Sequence, residues 1–295
     1  GVKNFPKGND NNALKSSDDA SVAFTSAGAA SFAAFALAGS GVPLAKTTHN
    51  GQACGVADVA GNIWKINIGV TCIAAAKTIT GATQANPVVL TISGHGYTTG
   101  ALAMITGVGG MTQLNDRLYK LTVVDANTIS LDGVDGAAFT AYTSGGTCTT
   151  GQFYLLKPSV DVATLTSGNT LATDHWGAAG VAANFDAVEL NFATTYPNNG
   201  FAQRFGNGAN QVFGWDTQTA RTRSMAGLPA PGGVSTAGSN LMGLDYFYQH
   251  IRNELCVISR GNWYDGSPAG SRSRNLYNAR AFANFYVGFA ASRYL

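Results

Sequence analysis

The sequence predicts an α+β fold: short helices around a small antiparallel sheet, with many long loops, interrupted by a small all-β barrel module. Three observations lead there. The first is a pair of glycine-and-aromatic segments far apart in the chain. One is Gly55-Val56-Ala57-Asp58-Val59-Ala60-Gly61-Asn62-Ile63-Trp64. The other is Ser259-Arg260-Gly261-Asn262-Trp263, with the closing run Tyr286-Val287-Gly288-Phe289-Ala290. Glycine lets backbones approach closely and a large ring fills the space so made, so the two segments are expected to complete one core. The second is composition: 12% charged residues and 37 glycines in 295 residues. That is too apolar for disorder, too polar for a membrane protein, and too aperiodic in glycine for collagen. The third is a change of texture over residues 79–149, where short apolar strands alternate with turn residues.

These observations divide the chain into three parts. Residues 1–78 form the N-terminal part of the host domain, 79–149 the inserted β module, and 150–295 the C-terminal part with a binding surface. Within the first part, Ser16-Ser17-Asp18-Asp19 offers helix N-caps. An Ala-rich helix is expected from Ala20 to Ala38, with Phe24, Phe32 and Phe35 on one face. The run Ala27 to Ala38 is too short to span a bilayer. Gly1 is followed by polar residues, so no secretory signal is expected, and the absence of methionine leaves an upstream part open.

In the module, Val88 to Ile92, Ala101 to Ile105, Leu118 to Val124 and Thr128 to Leu131 read as strands. Gly94-His95-Gly96, Gly107 to Gly110 and Asp125-Ala126-Asn127 read as their turns. An insertion requires that Thr78 and Thr149 lie close together. In the third part, Gln152 to Leu156, Ala187 to Phe192, Leu255 to Ser259 and Tyr286 to Ala290 read as strands, the last two central. Ser239 to Glu254 reads as a short helix weakened by Gly243. Tyr196 to Asn210 and Met225 to Gly238 read as long ordered loops, which are uncommon in a compact domain and often functional.

With these segments in view, the chain resembles the C-type-lectin-like fold of formylglycine-generating enzymes and their non-enzymatic phage relatives. The family's Gly-hydrophobic-x-Asp-x-x-Gly-Asn-x-Trp segment is matched from Gly55 to Trp64. Its Arg-Gly-Gly-Ser-Trp is matched by Arg260-Gly261-Asn262-Trp263, and its closing Gly-Phe-Arg-x-x-Arg by Gly288 to Arg293. Phage tropism determinants altered by diversity-generating retroelements use this scaffold. The resemblance implies that Trp64 and Trp263 share one hydrophobic centre.

The middle segment resembles a second family. Asn86-Pro87-Val88-Val89-Leu90-Thr91, Gly94-His95-Gly96-Tyr97, Leu114-Asn115 and Tyr142 to Thr147 look like a small β module recurrent in phage virion proteins. That module is named for its likeness to a catalytic-cysteine half-domain of ubiquitin-activating enzymes. The name implies no ubiquitin chemistry here, since Cys148 stands at the edge of the segment.

Enzymatic readings fare poorly on the residues. Thiol chemistry of the formylglycine type needs two convergent thiolates, and Tyr264 to Arg280 contains no cysteine. Lys65 follows Trp64 where relatives often carry a calcium-binding Glu. Cys54, Cys72, Cys148 and Cys256 match no zinc spacing. A disulfide between Cys72 and Cys148 across the neck of the insertion is left open, while Cys54 and Cys256 read as small buried hydrophobes. Asp174-His175, or His250 with Glu254, could be drawn as acid/base pairs. The latter would share a helix face, which is the usual geometry of a surface pair. No enzymatic activity, cofactor or metal site is therefore expected.

The C-terminal segment has the composition of a recognition surface, rich in Tyr, Trp, Arg, Ser and Asn. The expected ligand-facing residues are Tyr264, Asp265, Ser267, Arg272, Arg274, Asn275, Tyr277 and Asn278. Trp263, Arg260 and Arg293 are expected to be structural. Arginines outnumber acids there, so anionic or sugar-bearing ligands suit the surface. The net charge of only +2 gives no general case for nucleic acid. The expectation is a phage tail-tip or tail-fibre receptor-binding protein in the virion. Its partners would be a host-surface glycan, lipopolysaccharide or outer-membrane protein, other tail proteins, and two further copies in a homotrimer. The competing expectations are a capsid or tail decoration protein and a cryptic enzyme of the same fold.

Overall fold

The computed structural model describes residues 25–26, 36–37, 64–67, 69–161, 181–189, 202–204, 246–259, 274–282 and 287–288. Within them, strand pairing between residues 70 and 156 closes on itself. The ring starts at β4 (Val70–Thr78), which continues through Ile79 and Thr80 into β5 (Gly81–Ala82). From β5 the pairing passes to β6 (Val89–Thr91), then β9 (Thr128–Leu131), β8 (Arg117–Val123) and β7 (Leu102–Thr106). It returns through β10 (Thr147–Leu156) to β4. The corner is made within two residues: Ile79 N–H donates to Gly146 O at 2.9 Å and Thr80 N–H to Thr91 O at 2.9 Å. Closure leaves this ring without an unpaired edge to template aggregation.

Apolar runs become strands here because both faces are buried. Along β7, Ala103 and Ile105 point into the barrel, while Leu102 and Met104 join a second core outside it. Leu118 of β8 likewise faces outward, and Tyr119 and Leu121 inward. A period of two applied to an unbroken apolar run therefore feeds two cores at once. The barrel interior is drawn entirely from residues 79–148, with Ile79, Val88, Leu90, Ile92, Met111 and Leu131 among them.

Two polar latches fix its loops. Asn115 Oδ1 accepts from Val108 N–H at 2.8 Å and its Nδ2 donates to Val108 O at 2.9 Å. His95 Nδ1 accepts from Tyr97 N–H at 2.9 Å, so its Nε2 carries the proton and donates to the Asp125 carbonyl at 2.8 Å.

The ladder between β4 and β10 is the neck of this unit. Thr78 pairs with Thr147, and Cys72 pairs with Phe153 further along. Cys148 pairs with Lys77, five register positions from Cys72, which is roughly 17 Å along a strand. A disulfide cannot span that distance, and both thiols are free and buried. The outer end of β10 pairs with β11 (Phe185–Val188).

A second sheet lies against the barrel's outer face. It runs β12 (Ala202–Arg204), β13 (Tyr246–Gln249), β15 (Arg274–Ala279), β14 (Leu255–Ser259), β3 (Trp64–Asn67), β16 (Val287–Gly288). Leu255, Val257 and Leu276 from this sheet, with Ile251, pack onto Val70, Cys72, Leu102, Met104, Leu118, Phe153 and Leu155. Asn67 Nδ2 donates to Ser259 Oγ at 2.8 Å, joining β3 to β14 across 192 positions of sequence. Trp64 is buried in this sheet, whereas Trp263 lies outside the described residues, as does Cys54.

These features overturn the expected α+β, C-type-lectin-like architecture. Among the described residues the chain is nearly all β, in large sheets. The helical elements there are a 3₁₀ turn at Thr112–Leu114 and a single α turn at Val181–Asn184. The helix expected over Ala20 to Ala38 is replaced at its described positions by β1 (Thr25–Ser26) paired antiparallel with β2 (Ala36–Leu37). Alanine's helix preference is below about 1 kcal/mol per residue, so pairing overrides it. The helix expected over Ser239 to Glu254 is replaced at its described positions by β13 followed by a turn at Asn253–Glu254. The aromatic run Tyr246-Phe247-Tyr248 favours a pleated surface. The Tyr286 to Ala290 strand is not central either: β16 stands at the end of its sheet, parallel to β3.

Candidate functional site

β15 carries four of the sequence-predicted ligand-facing residues: Arg274, Asn275, Tyr277 and Asn278. Tyr264, Asp265, Ser267 and Arg272 lie outside the described residues. The pairing of β15 with β14 is irregular. Cys256 opposes Asn278 and Ile258 opposes Asn275, so β14 advances two residues while β15 advances three. The surplus is a β-bulge at Leu276-Tyr277. Leu276 is fully buried and Asn278 is buried, while Tyr277 is 38% exposed. Asn278 thus faces inward, and Tyr277 is turned out. The bulged Tyr277 N–H is accepted by Asn275 Oδ1 at 2.8 Å, replacing a lost ladder bond.

Two further residues reach Tyr277 from the turn after β13. That strand runs parallel to β15 with Gln249 opposite Leu276, and His250 N–H donates to Leu276 O at 2.9 Å. This register sets His250 edge-on to Tyr277, with ring centroids 5.1 Å apart. It also sets the Arg252 guanidinium carbon 4.8 Å from the Tyr277 ring centroid, a cation–π contact. Neither His250 nor Arg252 is among the expected ligand-facing residues, and His250 is drawn only as an acid/base partner of Glu254. Their only sequence signal is that three polar residues, His250, Arg252 and Asn253, follow an aromatic strand.

The turn is clamped from three sides. Asn253 Oδ1 accepts from Ala74 N–H at 3.0 Å, tying it to the neck. The Arg252 backbone N–H lies beside the Cys72 thiol and works against the effect of burial on it. Glu254 takes a left-handed conformation, φ 52°, its carbonyl accepts from Arg280 N–H at 2.8 Å, and its carboxylate accepts from Arg280 Nη2 at 3.0 Å. Glu254 is therefore paired with Arg280, and the acid/base pair drawn on a helix face with His250 is not formed.

Electrostatics sharpen the arrangement. His250 Nδ1 is 3.0 Å from the Ile251 carbonyl, which can only accept, so Nδ1 carries the proton and Nε2 presents a lone pair. Burial, then the adjoining Arg252 charge, hold His250 below the usual imidazole range. The Ile251 carbonyl and the Asp116 carboxylate push the other way. Among the described residues, the Arg252 side chain makes no ion pair.

The thiols offer a contrast. Burial pushes Cys72 and Cys148 up to about 12 and Cys256 up to about 11. A nucleophilic thiolate is disfavoured at all three. Among the described residues, no three His, Cys, Asp or Glu side chains converge as metal ligands.

No curated protein matches the chain. The barrel, by contrast, does have a relative: residues 84–151, under a quarter of the chain, match the family of the ubiquitin-activating enzyme E1 FCCH domain.

Proposed function

We propose that this protein is a bacteriophage virion protein that attaches the particle to a host-surface glycan, lipopolysaccharide or outer-membrane protein. The observation that carries the reading is the bulge-borne Tyr277, turned out of its sheet beside Arg252 and His250. The ring supplies contact area at low entropic cost, and the cation supplies directionality. The FCCH-like barrel acts as a spacer or a contact with neighbouring virion proteins. No catalytic step is needed: attachment is non-covalent. Copies held together, as a homotrimer by analogy with fibres, convert weak single contacts into firm adsorption.

The test is saturable, strain-selective binding of the labelled full chain to a panel of bacterial cells, and competition with particles that adsorb to the strains it binds. A triple variant, Tyr264→Ala, Arg272→Ala and Tyr277→Ala, is expected to lose both while keeping its melting temperature. A decoration protein would bind no cell in the panel and block no adsorption, and that result would remove the reading.

A further inference from the structure

We propose that His250, Arg252 and Tyr277 form a subsite for a carboxylate-bearing sugar, such as a uronic acid residue of a bacterial surface polysaccharide. The inference rests on the adsorption reading and names the ligand chemistry of that same surface.

Three complementary groups converge there. The Arg252 guanidinium is held over an aromatic ring, and among the described residues no side-chain hydrogen bond or ion pair uses its five donors. An arginine fork held in place matches the two oxygens of a carboxylate. His250 presents the opposite polarity. Its Nδ1 proton is committed to the Ile251 carbonyl, and among the described residues its Nε2 lone pair has no hydrogen-bond donor. That atom requires a hydroxyl or N–H from the ligand. Tyr277 adds a partly exposed aromatic side chain, of a kind suited to the C–H surface of a pyranose.

A sugar acid supplies a carboxylate, adjacent hydroxyl donors and an apolar C–H face on one rigid ring. An aspartate or glutamate side chain supplies the carboxylate alone. A phosphodiester offers no hydroxyl for His250. Asp116 faces the same cluster, close enough to act on His250. Its charge repels a second carboxylate on its own side and leaves one carboxylate seated against Arg252.

The experiment titrates the full-length chain with trigalacturonate, its fully methyl-esterified form and maltotriose, followed by calorimetry. The acid is expected to bind in the millimolar to micromolar range. Esterification and Arg252→Ala are each expected to weaken it by roughly 10- to 100-fold, the loss that accompanies a charge-assisted pair. Arg252→Lys keeps the charge but not the fork, and is expected to fall between wild type and Arg252→Ala. His250→Ala is expected to weaken the acid and the ester by a similar factor, since it removes a hydroxyl contact.

Equal affinity for acid and ester overturns the proposal, as does an unchanged affinity in Arg252→Ala. Absence of saturable binding of the acid at millimolar concentration overturns it too. The ligand series keeps the test independent of variant folding. Cell binding separates the two readings. Strain-selective binding shared equally by wild type and Arg252→Ala sinks the sugar-acid subsite alone. Absence of cell binding by wild type sinks the adsorption reading itself.

Discussion

Asn275 Oδ1 accepts the backbone N–H of Tyr277 at 2.8 Å, and this bond satisfies the backbone where the strand bulges beneath the exposed tyrosine. Removing the acceptor leaves the bulge free to slip back into register. Asn275→Ala is expected to cost about 1 kcal/mol of stability and to lower the exposure of Tyr277. Asn275→Asp keeps an acceptor oxygen and is expected to retain both. Urea unfolding and tyrosine fluorescence quenching by acrylamide read the two effects; matching quenching in wild type and Asn275→Ala would refute the role.

Gly151 lies where the second core meets the neck. A Cβ there would meet Ile251 Cγ2 at 2.5 Å and Cys72 Sγ at 2.8 Å. Neither neighbour can retreat easily, since both sit in a packed core. Gly151→Ala is expected to destabilise by about 1–3 kcal/mol, the range for overpacking. It should also loosen the 250–254 turn, which amide hydrogen exchange at Ile251 and Arg252 would detect. Protection equal to wild type at those amides would argue against the packing described.

Gln249 is fully buried, and among the described residues neither polar atom of its amide has a hydrogen-bond partner. A buried amide left unpaired costs about 1–3 kcal/mol. Gln249→Met, similar in volume, is therefore expected to raise stability by about 1 kcal/mol in a urea titration. A loss of stability instead would mean that the amide has a task in the folded chain.

His95 is committed through both ring nitrogens, one to Tyr97 N–H and one to the Asp125 carbonyl. His95→Ala strands a backbone donor and a backbone acceptor in a nearly closed site, and is expected to cost about 2–3 kcal/mol. His95→Phe, which restores the volume but not the bonds, should recover little. Thermal melting of the two variants makes the comparison; full recovery by phenylalanine would show that filling space is what matters.

Cys72, Cys148 and Cys256 should resist thiol reagents. In a Cys54→Ser background at pH 8, disulfide-exchange labelling of the native chain is expected to follow global unfolding. The same shifts set an alkaline limit. The folded thiols titrate near 11 to 12 against an ordinary value of 9.0. The unfolded chain loses protons first, so this contribution to stability is intact below pH 9 and is lost as the pH climbs toward 12. Urea midpoints should fall steadily from pH 9 to 10.5. A flat profile would contradict the burial of these groups.

The barrel was the most legible part of the fold in the sequence. Its strands at Val89–Thr91, Leu102–Thr106, Arg117–Val123 and Thr128–Leu131 are short, apolar and punctuated by glycine, aspartate and asparagine. Those are local signals, and hairpin pairing uses them directly. The second sheet was less legible because its pairings are remote. Asn67 meets Ser259, and β13 meets β15 in parallel, with no local pattern to announce either. The same remoteness hid part of the site. Tyr277 and Asn275 could be picked out by residue type. His250 and Arg252 reach them only through the parallel register of β13 with β15. The bulge is likewise unannounced by residue type, although burial still alternates beyond it, Leu276 and Asn278 inward and Tyr277 outward.

Leu102, Met104 and Leu118 point out of the barrel and into a hydrophobic cluster shared with the second sheet. Exchange of this module for another, by recombination or by engineering, therefore demands more than matching entry and exit strands. A substitute with a polar exterior would strand Val257 and Leu276 against water. The cassette has to bring a greasy back of its own, and chimaeras that lack one should fail at assembly even though each half is sound by itself.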